Sequence, residues 1–162
     1  MQIVLDACSI INLVNASGLG ACADLENCQL LVGPIVFGEC NEEPAKILTE
    51  MIATGRISQL EDADIPLDLF LGLLDQHNLG EGETECITAA VHSELMVCSD
   101  DGRARRIAAR YRGDSQIVGS ARLLQWCVQQ GTLVCTDASG KFVQMKHCGG
   151  FLPDLPNDFF CL

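Results

Sequence analysis

Met1-Gln2-Ile3-Val4-Leu5-Asp6-Ala7-Cys8-Ser9-Ile10-Ile11-Asn12-Leu13-Val14 opens the chain. Ile3–Leu5 is a continuous apolar run, which predicts a strand buried on both faces over residues 2–6. Ile10-Ile11-Asn12-Leu13-Val14 then predicts a short helix that Gly18 and Gly20 end. The same alternation recurs downstream. Leu30–Val32, Ile57–Leu60, Leu95–Ser99 and residues 116–118 read as strands, with residues 133–135 as a possible last one. Helices are expected from about Ile35 through Glu39, from Pro44 to about Ala53, from Leu67 to His77, from Gly80 to about Ser93, from Asp101-Gly102 to Tyr111, and over Ala121–Gln130. Strands alternating with helices predict an α/β domain with a mostly parallel sheet.

Acidic residues fall beside these elements. Asp6 ends the first strand, Glu39 follows Ile35-Val36-Phe37, Glu85 opens the run Cys86–Val91, and Asp100-Asp101 ends Leu95–Ser99. In parallel sheets ligands bind at the carboxyl ends of strands, where Asp6, Asp100 and Asp101 are placed. Converging carboxylates repel one another and call for a divalent cation or a shared proton. Each acid also has a purely structural reading. Asp6 suits a helix N-cap, as does one of Asp100 and Asp101 for the arginine-rich helix after them. Glu39 suits a solvated helix position, and Glu81, Glu83 and Glu85 suit the positive end of a helix dipole. Glu83 and Glu85 are two apart, so a helix cannot turn both towards one cleft.

A length of 162 residues fits one domain spanning 1–162, and 48% hydrophobic content excludes disorder. No apolar run reaches membrane-spanning length, and the start lacks the basic segment of a secretory signal, so a cytoplasmic location is expected. The net charge of -12 excludes a general nucleic-acid-coating protein. Arg103, Arg105, Arg106, Arg110 and Arg112 nevertheless crowd behind the Asp pair. Arg106 and Arg110 share a helix face, and Arg103, Arg106 and Arg110 are candidates for holding phosphates. A solvated face that offsets the acidic charge is the competing reading.

None of the ten cysteines is spaced Cys-x-x-Cys, which removes zinc ribbons and thioredoxin-like motifs. Most sit in apolar runs, as small hydrophobes, and are expected as reduced thiols, with a disulfide or a metal-binding thiolate as the alternative. Nucleotide-binding glycine motifs are absent, and His77, His92 and His147 show no nucleophile or metal spacing. Residues 149–162 form an apolar tail expected to pack on the core or on a partner.

Four pieces resemble the PIN-domain family of metal-dependent ribonucleases. Leu5-Asp6-Ala7-Cys8-Ser9-Ile10-Ile11-Asn12-Leu13 looks like the family's first motif. Glu39 falls where a second acid is expected. Gly82-Glu83-Thr84-Glu85-Cys86-Ile87-Thr88-Ala89-Ala90 is similar to the Gly-Glu-x-Glu helix of one branch, which is VapC-type and toxin-like. Val97-Cys98-Ser99-Asp100-Asp101-Gly102 looks like the Ser/Thr-x-Asp motif after the fourth strand, and residues 117–124 resemble the same branch's strand-Gly-helix segment. The resemblance implies a three-layer α/β/α sandwich. It implies that Asp6, Glu39, Glu85 and one or both of Asp100 and Asp101 hold Mg²⁺ or Mn²⁺ and position a water. Asp101 matches the spacing counted from Ser99, while Asp100 lies nearer the strand end. Glu85 is preferred over Glu83 for the apolar and alanine pattern behind it. Ser9 and Asn12 would orient the cluster.

The implied activity is a divalent-metal-dependent endoribonuclease cutting RNA, acting as the toxin of a toxin–antitoxin pair. A homodimer and a cognate antitoxin protein are the implied partners, with no membrane. A PIN-like RNA- or protein-binding module with a weak or vestigial metal site is the alternative. A phosphoryl-acceptor receiver domain fits poorly, because its acidic pair belongs behind the first strand.

Overall fold

A computed structural model describes residues 1–156 and 158–161; Asn157 and Leu162, both in the predicted tail, lie outside the described residues. The strands are β1 (Gln2–Leu5), β2 (Gln29–Val32), β3 (Ile57–Gln59), β4 (Met96–Cys98) and β5 (Ile117–Val118). The helices are α1 (Ala7–Asn15), α2 (Leu19–Ala23), α3 (Pro34–Glu39), α4 (Glu42–Ala53), α5 (Leu67–His77), α6 (Glu81–Ser93), α7 (Gly102–Arg112), α8 (Ser120–Gln129) and α9 (Cys135–His147).

The five strands form one sheet in the order β3-β2-β1-β4-β5, and every pairing is parallel. The all-parallel sheet therefore goes one step beyond the mostly parallel expectation. Its strands are buried on both faces, which is why they read as unbroken apolar runs rather than alternating ones. Connections β1→β2→β3 move one way along the sheet, and β4→β5 moves the other. With right-handed crossovers their helices cover opposite faces. Accordingly α6 packs with α5 and α7, α1 packs with α2, α4, α8 and α9, and α3 touches both α1 and α6. The direction of winding reverses between β1 and β4, and such a switch point leaves a crevice at the strands' carboxyl ends. Asp6 and Ser99-Asp100-Asp101 stand there.

Two helices differ from the sequence expectation. Gly18 does not simply end α1; its position beside Leu124 starts the short α2. Residues 133–135 are not a strand. Val134 is instead the N-cap of α9, with Asp137 in the first turn, and Ala138, Phe142 and Met145 are buried at helical spacing. That i, i+4, i+7 stripe outweighs three adjacent apolar residues.

The tail packs on the core through Phe160, which is buried against Phe142, and through half-buried Leu152, Leu155 and Phe159. Cys135 and Cys161 are disulfide-bonded, which corrects the expectation of thiols throughout. The buried Cys22, Cys86, Cys98 and Cys127 do behave as small hydrophobes in the core. The cross-link closes a separation of 26 residues, and loops of that size are stabilised by about 3 kcal/mol. Cys161→Ser is therefore expected to lower the melting temperature by roughly 5–10 °C. Thermal unfolding of the variant without reductant checks this, and adding reductant should bring the unmutated protein down to the same value. Among the described residues no helix is long and apolar enough to cross a membrane.

Candidate functional site

Asp6 is the fixed point of the crevice. It follows β1 in extended conformation and caps α1, its Oδ1 accepting from the Ala7 amide at 2.8 Å. Its Oδ2 accepts from the Ser99 hydroxyl at 2.7 Å and the Cys8 thiol at 2.9 Å. A carboxylate offers roughly four lone-pair sites, so three donors leave it room for one more partner. The side chain is 3% exposed. Burial raises its proton affinity above the ordinary range; the Cys8, Ser99 and Ala7 donors oppose this, and the charge of Asp101 adds to it. The Cys8 thiol is pushed up to about 12, by burial first and then by Asp6, so it remains a donor at neutral pH.

Ser99 joins the two strand ends. While donating to Asp6 it accepts from the Asp101 amide at 3.1 Å. The sequence marked Ser99 only as a spacing reference, and its role as the hub needed coordinates.

The Asp pair divides its work. Asp100 Oδ2 accepts from Asn12 Nδ2 at 2.8 Å and Ser120 Oγ at 2.6 Å, and its Oδ1 accepts from the Ser120 amide at 2.9 Å. It is thus a brace between α1, the β4 end and α8, held by the Asn12 expected to orient the cluster. Asp101 is exposed and caps α7 with Oδ1 alone, accepting from Arg103 N and Ala104 N at 2.8 and 2.7 Å. The N-cap expected of one member of the pair is Asp101, and its Oδ2 takes no hydrogen bond among the described residues. Ser9 orients nothing. Its hydroxyl is buried beside the Cys98 thiol without a partner in hydrogen-bond geometry.

The two glutamates of α6 diverge, as their spacing requires. Glu85, 0% exposed, turns to α3 and accepts from the Ile35 and Val36 amides at 3.0 and 2.9 Å. Glu39, at the far end of α3, accepts from the Gly82 amide of α6 at 3.0 Å. Each helix therefore places a carboxylate on the other's positive N-terminus. The expected ligand Glu85 is committed to this brace, and so is one oxygen of Glu39. Burial raises the proton affinity of Glu85, the two amides lower it, and the charge of Glu39 raises it again. Glu83 instead caps its own helix, accepting from the Gly80 amide at 3.0 Å, near enough to Asp6 and Asp101 to feel their charges. Burial raises its proton affinity, its own bond from the Gly80 amide lowers it, the charges of Asp6 and Asp101 raise it, and Arg103 lowers it.

Asp6, Asp101 and Glu83 thus form one set of acids that act on each other's charge, and Glu39 and Glu85 form another. Among the described residues no three acid, histidine or cysteine side chains stand close enough to form a closed metal cage. A Mg²⁺ ion does not need one, because it keeps several waters and takes one or two carboxylates. The spare lone pair on Asp6 and the free Oδ2 of Asp101 suit that demand.

A cleft of about 700 Å³ opens beside the Asp100-Asp101 pair, lined also by Cys8, Asn12, Asn15, Arg105 and Phe151 among others. Arg105 donates to the Ser99 carbonyl at 3.0 Å and keeps the rest of its guanidinium at the cleft. Arg103 reaches the His77 carbonyl at 2.7 Å, near Glu83. Arg106 and Arg110 line a separate shallow depression with Asp114, because their helix face turns from the crevice. Of the predicted phosphate contacts only Arg103 stands near the acids, and Arg105 is the arginine that the prediction omitted.

The chain also resembles known proteins. A family model described as PIN domain (DUF3368) matches residues 2–154. No curated protein sequence matches. The crystal structure of PAE2754 from Pyrobaculum aerophilum is similar at 16% identity with a TM-score of 0.57, covering 82% of this chain and 91% of that one, which shows a shared fold. With a family match over almost its whole length, on an all-parallel sheet with acids at the switch point, the chain belongs to the PIN-domain family.

Proposed function

We propose that this protein is a divalent-metal-dependent endoribonuclease. The observation that carries the reading is that Ser99 bonds both the Asp6 carboxylate and the Asp101 amide at the switch point, beside a cleft that presents Asp101 and Arg105. PIN domains are generally nucleases, which supports hydrolysis of a phosphodiester.

Asp6 and Asp101 would hold Mg²⁺ or Mn²⁺, which when bound supplies charge neutralisation and an acidified water. The chain's own groups supply the rest. Ser99 fixes the separation of the two aspartates by bonding to both. Glu83, whose proton affinity burial and the charges of Asp6 and Asp101 raise, would take the proton of an attacking water. Arg105 and Arg103 stand where phosphate oxygens would pass, so binding should weaken as salt rises. Asp100, Glu39 and Glu85 keep the frame in place.

The test uses 5′-labelled single-stranded RNA with purified protein in Mn²⁺, in Mg²⁺ and in EDTA. Cleavage is expected only with an ion, and Glu83→Gln should reduce it by about a hundredfold with the melting temperature little changed. Cleavage in EDTA, or full activity in Glu83→Gln, would overturn the assignment. The biological role proposed is that of a toxin held by an antitoxin protein, in a homodimeric assembly within the cytoplasm. Growth arrest on expression, relieved by Asp6→Asn, supports that role. The commitment of Glu85 to the α3 amides favours one second reading, a PIN-like binding module with a weak metal site. RNA bound with measurable affinity and never cut would select it.

A further inference from the structure

Phe151 is 100% exposed at the mouth of the cleft, the extreme among the large apolar side chains described. Its position is not that of a loose tail. Gly150 N bonds the Met145 carbonyl at 2.9 Å, and Leu152 N bonds the Gly150 carbonyl at 3.0 Å, so the chain turns tightly around Phe151. Gly150 lies so close on α1 that an added Cβ would stand 2.7 Å from Asn12 Oδ1. Beyond the turn, Lys146 pairs with Asp154, Gln125 donates to the Phe159 carbonyl at 2.6 Å, Arg122 lies over the Phe159 ring and Phe160 is buried. The backbone is strapped on both sides of Phe151 while its ring is left without a packing partner. The cleft floor is mixed: Ile11, Cys148 and Pro153 lie beside the exposed Asn15 amide, Asn12, Asp101 and the guanidinium of Arg105.

We propose that this cleft is a subsite for one unpaired nucleobase of a single strand, with Phe151 as its stacking platform. The inference rests on the nuclease reading and deepens it. Any base offers a π-face to a rigid aromatic ring, whereas a paired base has both faces covered by its neighbours. Asn15 has an amide donor and acceptor for a base edge, and Arg105 is within the same cavity for the adjoining phosphate. A protein partner would use Phe151 as an apolar anchor; the amides and charges around it favour a base. The subsite adjoins Asp101, so a base held there would place the neighbouring phosphodiester at the acids, and duplexes would be poor substrates.

Phe151→Ala tests this, because it removes no packing and should leave the melting temperature unchanged. In the Asp6→Asn background, affinity for a labelled eight-nucleotide oligouridine is read by fluorescence anisotropy, beside an abasic ribose-phosphate oligomer of equal length. Phe151→Ala should weaken oligouridine binding about tenfold and leave abasic binding unchanged. Phe151→Trp should retain affinity and Phe151→Leu should not, which separates stacking from greasiness. In the cleaving protein, Phe151→Ala should raise KM by a similar factor with kcat nearly constant. Equal oligouridine affinities for Phe and Ala overturn the subsite. So does a change in sedimentation mass on Phe151→Ala with RNA affinity intact, which would assign the ring to a protein contact. RNA cleaved normally by Phe151→Ala removes the subsite and leaves the nuclease standing. Phe151-dependent binding without cleavage removes the nuclease and leaves the subsite.

Discussion

Asp6→Asn is expected to lower RNA hydrolysis by about a hundred- to a thousandfold, the range for losing one group that acts in the transition state, while making the metal-free protein more stable. The two effects share one cause. Asp6 is 3% exposed, and burial lifts its proton affinity above the ordinary 3.8 against the pull of three donors. A carboxylate whose proton affinity is higher folded than unfolded is destabilising when charged. The penalty is absent below the unfolded value, builds as pH rises towards the folded one, and is complete above it. Asn carries no such penalty. It caps a helix as well as Asp does, so the Ala7 amide keeps its acceptor, and its amide can donate to Ser99 Oγ. Three melting curves decide the matter. In EDTA at pH 7 the variant should melt above the parent, and near pH 4 the difference should shrink. Mn²⁺ should raise the parent's melting temperature and not the variant's, because an ion bound only by the folded state stabilises it. A variant that melts lower at every pH, or that gains equally from Mn²⁺, would remove Asp6 from the ion site.

The sheet was legible because strands buried on both faces leave continuous apolar runs, and Ile3–Leu5 and Met96–Cys98 are such runs. Their carboxyl ends placed Asp6 and Asp100-Asp101 without coordinates. The choice within each acidic pair was not legible, because it depends on which neighbour offers donors. Asp100 meets Asn12 and Ser120, residues 88 and 20 positions away in the chain. Glu85 meets two amides about 50 positions away. The rule that Glu83 and Glu85 face opposite ways was correct, but the pattern Cys86–Ala90 identified the buried face of α6, not the face turned to the crevice. Small buried residues behind Glu85 let α6 lie close against the sheet and α3, which is why Glu85 is enclosed. The missed α9 carried its own signal in Ala138, Phe142 and Met145, diluted by the polar residues and Gly140 between them. The disulfide had no such signal, since any of ten cysteines can pair.

Glu85→Ala should be the most destabilising single change at this site, and it separates scaffold from chemistry. Its carboxylate satisfies two amides at the start of α3, a helix of only six residues whose side-chain cap is otherwise absent. Alanine leaves the buried Val36 donor and the part-buried Ile35 donor unpaired, at about 1–3 kcal/mol for the buried one and less for the other, and adds a cavity. Part of this is offset, because the carboxylate's own desolvation and its repulsion from Glu39 vanish with it. A net loss of about 2–4 kcal/mol is expected, and with it roughly 5–15 °C in melting temperature. Glu85→Gln keeps the shape and one acceptor, and should lose about half as much. Gly33→Ala attacks the same brace from the other side. An added Cβ would stand 2.0 Å from Glu85 Oε2, so the carboxylate must leave the amides. If the two changes break one interaction, the double variant Gly33→Ala/Glu85→Ala should lose clearly less than the sum of the single losses. Urea unfolding of the four proteins gives the cycle. Activity per folded molecule then supplies the second axis: Glu85→Ala, assayed well below its melting temperature, should keep most of its ion-dependent cleavage, whereas Glu83→Gln should not. A Glu85 variant that melts like the parent but cuts nothing would return Glu85 to the ion site and reduce the α3–α6 brace to a by-product of its position.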